Sequence, residues 1–241
     1  MDAVKNDLLQ KGISLFFPAF NEGENVGGII EKCVAVLGAL ECDYEIIIVD
    51  DGSRDRTAEI VEEYAAKNSR VILKRHEKNR GYGGALQTGF NSCRYGLIFF
   101  SDCDLQFDLA ELTSFLELMQ DDPGIDGVIG YRIKRADPFI RKLNAFGWNM
   151  WARLLFGLKV KDIDCAFKLF KRELIEDITI ESSGALISVE ILTKIRRAGY
   201  RLVESGVHHY PRQAGKQTGA KLSVIIKAFY ESFKLYRKIR G

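Results

Sequence analysis

Asp102 and Asp104 lie two residues apart, with Gln106 two further on, just after an apolar run from Leu97 to Phe100. Alternate side chains of an extended chain point the same way, so these three oxygen-bearing groups converge on one side. Two carboxylates and an amide oxygen make a hard donor set suited to Mg2+ or Mn2+. Such ions usually keep waters and bind substrate phosphates, so a full protein cage is not required. If the apolar run is a buried strand, the donors emerge at its carboxyl end, the edge where open α/β sheets bind ligands. A second reading makes Ser101 and Asp102 the cap of a helix beginning near Leu109, with the remainder as loop. Cys103 between the aspartates reads as a small spacer, because nothing adjacent in sequence would activate its thiolate.

Two further polar clusters change the weighting. Pro18-Ala19-Phe20-Asn21-Glu22 follows the apolar run Ile13 to Phe17, and Asp50-Asp51-Gly52-Ser53 follows Tyr44 to Val49. Each alone is easily a turn or a cap. Together with Asp102 and Asp104 they place three acidic clusters at one edge of a sheet. That suits a nucleoside diphosphate. Paired aspartates accept hydrogen bonds from base N–H or ribose hydroxyls, and a divalent ion held by Asp104 neutralises diphosphate charge. Two other phosphate motifs are excluded. Gly81-Tyr82-Gly83-Gly84-Ala85-Leu86 lacks the last glycine of G-x-G-x-x-G, and Phe90 stands where a P-loop needs lysine. His208 and His209 are adjacent, so on a strand they point to opposite faces and read as structural.

The elements that would hold these clusters are legible as alternating patterns. Strands are expected at Ile13–Phe17, Tyr44–Val49, Val71–Leu73, Tyr95–Phe100 and Gly127–Tyr131. Helices are expected at Glu22–Leu40, Ala58–Ala66 (with Asp55 as N-cap), Gly83–Cys93 and Leu109–Met119. Nearly all-apolar strands alternating with helices indicate a mostly parallel sheet covered on both faces. The second half predicts a helix over Phe139–Phe156, a strand over Cys165–Phe170, a helix over Leu186–Ala198 and a strand over Arg201–Val207. A polar loop, Arg212–Gly219, and a last helix, Lys221–Arg240, follow. Leu222, Ile225, Ile226, Phe229, Phe233 and Tyr236 share one face of that helix, whose other positions are mostly basic. It fits either an anionic membrane surface or a terminal helix packed on the protein, and both readings stay open. The expected division is a domain over 1–219 and an amphipathic helix over 220–241.

The totals bound the class. The chain has 241 residues, 46% apolar and 28% charged, as in an ordinary soluble protein. Its net charge of +2 carries no signature of nucleic acid, and no nucleic-acid partner is expected. Five cysteines show no C-x-x-C pair and read as reduced thiols of a cytoplasmic protein. No signal peptide is expected from Met1–Lys11, and no apolar run approaches the ~20 residues a spanning helix needs. Work on a membrane would be peripheral, at its cytoplasmic face.

In combination, Pro18-Ala19-Phe20-Asn21-Glu22, Val49-Asp50-Asp51-Gly52-Ser53, Asn79-Arg80-Gly81 and Asp102-Cys103-Asp104-Leu105-Gln106 resemble family 2 glycosyltransferases with the GT-A fold. Gly130-Tyr131-Arg132, Arg141, Asp164-Cys165-Ala166-Phe167-Lys168-Leu169-Phe170 and His209-Tyr210-Pro211-Arg212 resemble the dolichyl-phosphate mannose synthase branch. The resemblance runs from about Ile13 to Gly219. It implies a Rossmann-like α/β sheet and inverting transfer of a hexose from a nucleotide sugar, GDP-mannose or UDP-glucose, to a polyprenyl phosphate. By position, Pro18, Ala19, Phe20, Glu22, Asp50 and Asp51 would line the nucleoside pocket, with Asp102 and Cys103 against the nucleotide. Asp104 and Gln106 would hold the metal, Arg212 would reach the donor diphosphate, and Arg132 and Arg141 would bind the acceptor phosphate. Guanidinium groups suit that task because they match phosphate bidentately. The chain departs from the pattern at Ala166-Phe167-Lys168, where many members have Gly-Phe-Arg, and at Ala145, where this branch often has serine. Transfer to a saccharide or protein hydroxyl is the enzymatic alternative and would need a base near the acceptor. A non-catalytic nucleotide-sugar-binding protein is the third reading. Glu190 fits a helix face and is given no catalytic role.

Overall fold

The computed structural model describes residues 8–133, 139–182, 184, 186–212, 214 and 231–239, and for 139–146 the backbone only. Runs of β-branched and aromatic residues form its strands. β1 (Ile13–Ala19) and β2 (Tyr44–Asp50) are buried almost throughout, as strands covered on both faces must be. With β3 (Val71–Arg75), β4 (Leu97–Phe100), β5 (Gly127–Arg132), β6 (Lys168–Lys171) and β7 (Leu202–Val207) they form one seven-stranded sheet in the order β3-β2-β1-β4-β6-β5-β7. β6 is antiparallel to both neighbours and every other pairing is parallel. The remaining strands therefore bring their carboxyl ends to one edge, and β6 begins there. This is the mostly parallel GT-A-type sheet that the sequence led us to expect, with one reversed strand.

The helices are α1 (Val26–Gly38), α2 (Thr57–Lys67), α3 (Gly81–Ser92), α4 (Leu112–Asp121), α5 (Phe139–Phe156), α6 (Arg172–Glu176) and α7 (Ile187–Arg197), with α8 described over 231–239. α6 has five residues, too few for a helical period to show in sequence. The strand expected over Cys165–Phe170 begins only at Lys168. Residues before it turn at the sheet edge, where the Cys165 amide donates to the Asp162 carbonyl. Neither Ser101 nor Asp102 caps the helical turn at Leu109; Asp108 does, its carboxylate accepting from the Ala110 amide at 3.1 Å. Asp55 stands one residue before the N-cap position of α2, Arg56, and accepts from the Thr57 amide at 3.0 Å.

Alternating strand residues build two aromatic layers. On one face Phe16 stacks on Phe100 at 5.4 Å and meets Phe90 of α3 edge-on at 4.9 Å. Elsewhere in the core Phe99, Phe107 and Phe115 surround Phe167 at 4.7, 5.6 and 5.1 Å. Gly89 lets α3 approach the first layer, since a Cβ there would run into the Phe16 ring. Gly89→Ala is expected to cost ~1–3 kcal/mol through overpacking, read as a lower urea midpoint with unchanged slope. An unchanged midpoint would show that the helix shifts freely.

The described part of the last helix packs on the protein. Ser232 and Leu235 are buried, Trp151 Nε1 donates to Ser232 Oγ at 3.1 Å, and Lys238 pairs with Glu181 at 2.6 Å. Residues 215–230, including the first half of the expected amphipathic helix and the boundary at 219, lie outside the described residues. Among the described residues no helix is long and apolar enough to cross a membrane.

Candidate active site

The carboxyl ends of β1 and β2 are stitched together by their loops. Asn21, at φ 57°, donates its amide to Ser53 Oγ at 2.8 Å and accepts from the Arg54 amide at 2.9 Å. The Glu22 amide donates to Thr57 Oγ1 at 2.9 Å. Pro18 is tolerated inside β1 because the β4 ladder ends at Phe16, so no partner on that side needs its missing N–H. A cleft of about 620 Å3 opens beside these loops, lined by Phe20, Gly52, Ser53, Arg54, Arg75 and Asn79 among others. Gly52 holds φ 74°, a conformation that favours glycine.

The two aspartates after β2 have different occupations. Asp50 is fully buried; Oδ1 accepts from the Ser53 amide at 2.9 Å, while Oδ2 makes no hydrogen bond and faces Arg75 Nε at 3.4 Å. That leaves Oδ2 an acceptor for a ligand N–H or O–H. Asp51 accepts from His76 Nδ1 and the Arg80 amide, both at 2.7 Å, and from the Gly81 amide at 2.8 Å. Its carboxylate is spent holding the Asn79–Gly81 turn against the start of α3. Asp51 thus accepts three hydrogen bonds within the protein, two on Oδ1 and one on Oδ2, whereas Oδ2 of Asp50 accepts none.

The acidic motif after β4 is pinned from two sides. Tyr82 Oη donates to Asp102 at 3.0 Å. The Gln106 side-chain amide donates to the Tyr210 carbonyl at 2.9 Å, the Tyr210 amide returns a bond to the Gln106 carbonyl at 2.8 Å, and Phe107 bridges to His209. Leu105 takes φ 58° to make this turn. Arg212 closes the cluster: Nη2 bonds Glu22, Nη1 lies 3.7 Å from Asp104, and Nε donates to the Ala214 carbonyl at 2.7 Å. Cys103 is buried, and burial pushes its thiol well above the ordinary value, as a spacer's should be.

Asp104 carries the local electrostatics. Burial, then the charges of Asp102 and Glu22, push its carboxyl up to about 7, and the Gln106 amide and Arg212 only partly oppose this. Burial raises Asp102 as well. Among the described residues no group of three His, Cys, Asp or Glu side chains forms a closed metal cage. An under-compensated carboxylate pair still fits a hard divalent cation, which takes one or two carboxylates and leaves its other positions to water and phosphate. The Gln106 amide nitrogen is engaged, so its oxygen is the atom left for such an ion.

The sign of the pH dependence follows. The folded chain holds an extra proton on Asp104 between the ordinary carboxylate range and about 7, so this group lowers stability as pH rises through that window. Asp104→Asn is expected to raise the Tm of metal-free protein near pH 8 and to change it little near pH 4. A lower Tm near pH 8 would contradict the electrostatic assignment.

On the far side of β4 the acceptor candidates are also engaged. Arg132, at the end of β5, makes a bidentate pair with Asp162, Nε to Oδ2 at 2.6 Å and Nη2 to Oδ1 at 2.7 Å. Burial would lower its pKa, but the Asp162 hydrogen bond and charge outweigh that and hold it above the ordinary value. Lys168 is buried at the start of β6 and donates to the carbonyls of Ile163 and Cys165. Burial lowers its pKa, against the charges of Asp164, Asp162 and Asp102. Arg141 lies on α5 with its side chain outside the described residues. Glu190 accepts from the Glu181 and Ser182 amides and from Lys194, so it is committed to structure. His208 pairs with Glu111, and His209 packs edge-on against Phe107.

Sequence reasoning missed Tyr82, Arg75 and Asp162. Only Asp162 carried a signal, the Asp162-x-Asp164 spacing that repeats that of Asp102 and Asp104. All five cysteines are free thiols, as expected.

Comparison with known proteins places this arrangement. The family profile described as Glycosyl transferase family 2 matches residues 14–179. Relatives include an undecaprenyl-phosphate 4-deoxy-4-formamido-L-arabinose transferase of Pseudomonas fluorescens, 27% identical over 90% of this chain and 62% of its own length. A dodecaprenyl-phosphate galacturonate synthase of Rhizobium johnstonii is 29% identical over 73% of this chain and 52% of its own. The chain thus spans less than two thirds of the curated relatives it matches. Among solved structures, mannosyl-3-phosphoglycerate synthase of Rubrobacter xylanophilus superposes with TM-score 0.71 at 20% identity, covering 99% of this chain and 78% of that one. Glucosyl-3-phosphoglycerate synthase of Mycobacterium tuberculosis, solved with Mn2+, uridine diphosphate and glucosyl-3-phosphoglycerate, gives TM-score 0.70 at 19% identity, over 97% and 81%.

Proposed function

Because the chain belongs to glycosyl transferase family 2, we propose that it transfers a hexose, with inversion, from a nucleotide sugar to a polyprenyl phosphate of the dolichyl type. The observation that carries this reading is the Asp102–Asp104 pair at the carboxyl edge of the sheet, Asp104 buried and Asp102 half-buried, with Arg212 against Asp104 and Arg132 at the end of β5, two strands from β4. The named relatives, whose names specify undecaprenyl and dodecaprenyl phosphates, support the acceptor class. Asp104 and Gln106 would hold Mg2+ or Mn2+, which supplies positive charge to a diphosphate leaving group.

The chain's own residues do the rest. Phe20 and the loops after β1 and β2 form the wall for the nucleoside, and Asp50 Oδ2 accepts from it. Arg212 presents a guanidinium to the diphosphate. Arg132 presents another to the acceptor, with Arg141 assigned beside it. An acceptor phosphate oxygen attacks the anomeric carbon, the bond to the diphosphate breaks, and the nucleoside diphosphate leaves with the electron pair. A phosphate dianion is already a competent nucleophile, so no side-chain base is required. This agrees with Glu190 being tied to backbone amides. The donor is assigned as UDP-glucose or GDP-mannose, and the place of work as the cytoplasmic face of an anionic membrane.

The test is incubation with labelled UDP-glucose, GDP-mannose and related donors, Mg2+ or Mn2+, and a short polyprenyl phosphate, followed by solvent extraction. Label moving to the organic phase from one donor supports the reading and names the donor. Label moving instead to an added saccharide or protein overturns the acceptor assignment.

A further inference from the structure

α5 exposes two large apolar side chains one turn apart, Met150 (46% exposed) and Leu154 (79%), with Gly147 exposed a turn before them. Their neighbours Ala152 and Phe156 do the packing into the core, so this stripe adds nothing to it. The stripe continues onto α8. Trp151, next to Met150 and one turn from Leu154, meets the ring of Phe233 at 5.3 Å, and Phe233 is itself 49% exposed. Contiguous apolar surface of this kind marks a docking face.

The charge around the stripe identifies the partner. The α5 sequence, FIRKLNAFGWNMWARLLF, contains no acidic residue, and its Arg153 is exposed. α8 adds exposed Lys234 and Arg237. Apolar residues flanked by cations complement an anionic bilayer interface, where aliphatic and aromatic groups enter the acyl boundary and cations meet headgroup phosphates. The face is also coupled to the site. Asn149 of α5 accepts from the Ile163 amide at 3.0 Å, next to Asp162, which grips Arg132.

We propose that the surface formed by Met150, Leu154 and Phe233 with Arg153, Lys234 and Arg237 docks on an anionic lipid bilayer, α5 being the inserting element. This deepens the reading of a lipid-phosphate acceptor and rests on it, since α5 is tied through Asn149 and Ile163 to the segment whose Asp162 holds Arg132. It also shifts the main contact: among described residues α5 offers Met150 and Leu154, and α8 adds Phe233.

Flotation of the full chain with phosphatidylcholine vesicles, with and without phosphatidylglycerol, tests it. Binding is expected only with phosphatidylglycerol and is expected to weaken in high salt. Leu154→Asp with Met150→Ser should reduce binding at least tenfold, and Lys234→Glu with Arg237→Glu should reduce it about fivefold per cation removed. Transfer to a short, water-soluble prenyl phosphate should be unchanged in all these variants, while transfer to long-chain lipid falls. Variants that float like the parent, or a parent that never floats, overturn the proposal. So does a parent that self-associates in solution and becomes monomeric on Leu154→Asp, which would make the stripe an interface between copies. Flotation is read without any donor, so failure of the transferase reading leaves this result interpretable, and the reverse also holds.

Discussion

Asp104→Ala is expected to lower kcat for sugar transfer by ~10²–10³ at saturating Mn2+, the usual loss when one preorganised electrostatic contact to a developing charge is removed. The fold should survive, because the side chain stands in the turn that follows β4 and is not part of the hydrophobic core. Its carboxyl is pushed up to about 7 mainly by burial and by Asp102, so its removal relieves repulsion in the metal-free chain. Loss of activity with an equal or higher Tm is thus the signature of a site residue whose cost is carried for function. Near-normal turnover at saturating Mn2+ would refute the metal assignment. A fall in Tm parallel to the fall in kcat would make Asp104 a structural residue.

The second large effect concerns Arg132. Arg132→Ala is expected to raise the KM for polyprenyl phosphate roughly tenfold to a hundredfold, a charge-assisted bidentate contact being worth ~1.5–3 kcal/mol. The KM for the nucleotide sugar should change little. The variant should also lose stability, by roughly 3–5 kcal/mol, because the buried Asp162 carboxylate would lose its bidentate guanidinium. Asp162→Asn separates the two roles. If Arg132 meets the acceptor, freeing it from the Asp162 carboxylate lowers the acceptor KM. If Arg132 serves only to neutralise Asp162, the asparagine variant leaves that KM unchanged. A rise confined to the nucleotide-sugar KM in Arg132→Ala would place this arginine in the donor site.

Local patterns carried much of this into the sequence. The buried strands β1, β2 and β4 read directly as apolar runs, and the polar residues that end them marked the ligand edge. Asp102, Asp104 and Gln106 were legible because their spacing has the period of an extended chain. Long-range pairing was not. Nothing local says that β6 inserts antiparallel between β4 and β5, or that Asp162 from the preceding turn reaches Arg132 thirty positions earlier. The Asp50-Asp51 pair looked equivalent in sequence, yet α3 begins where Asp51 can accept its free amides, while one oxygen of Asp50 is buried without a hydrogen bond. The apolar period of the last helix is real, but a period does not say what covers the face. Over 231–239 that cover is Trp151 and Phe156 of α5.

The central claim is that a phosphate oxygen, acting without a side-chain base, receives the sugar. Initial rates with a short prenyl phosphate and with the prenyl alcohol of equal length, under one donor and one metal concentration, test this most directly. The account predicts transfer to the phosphate, none to the alcohol above the Asp104→Ala background, and no further loss in Glu190→Gln. Comparable transfer to the alcohol, or transfer that collapses in Glu190→Gln while the fold is kept, would contradict it.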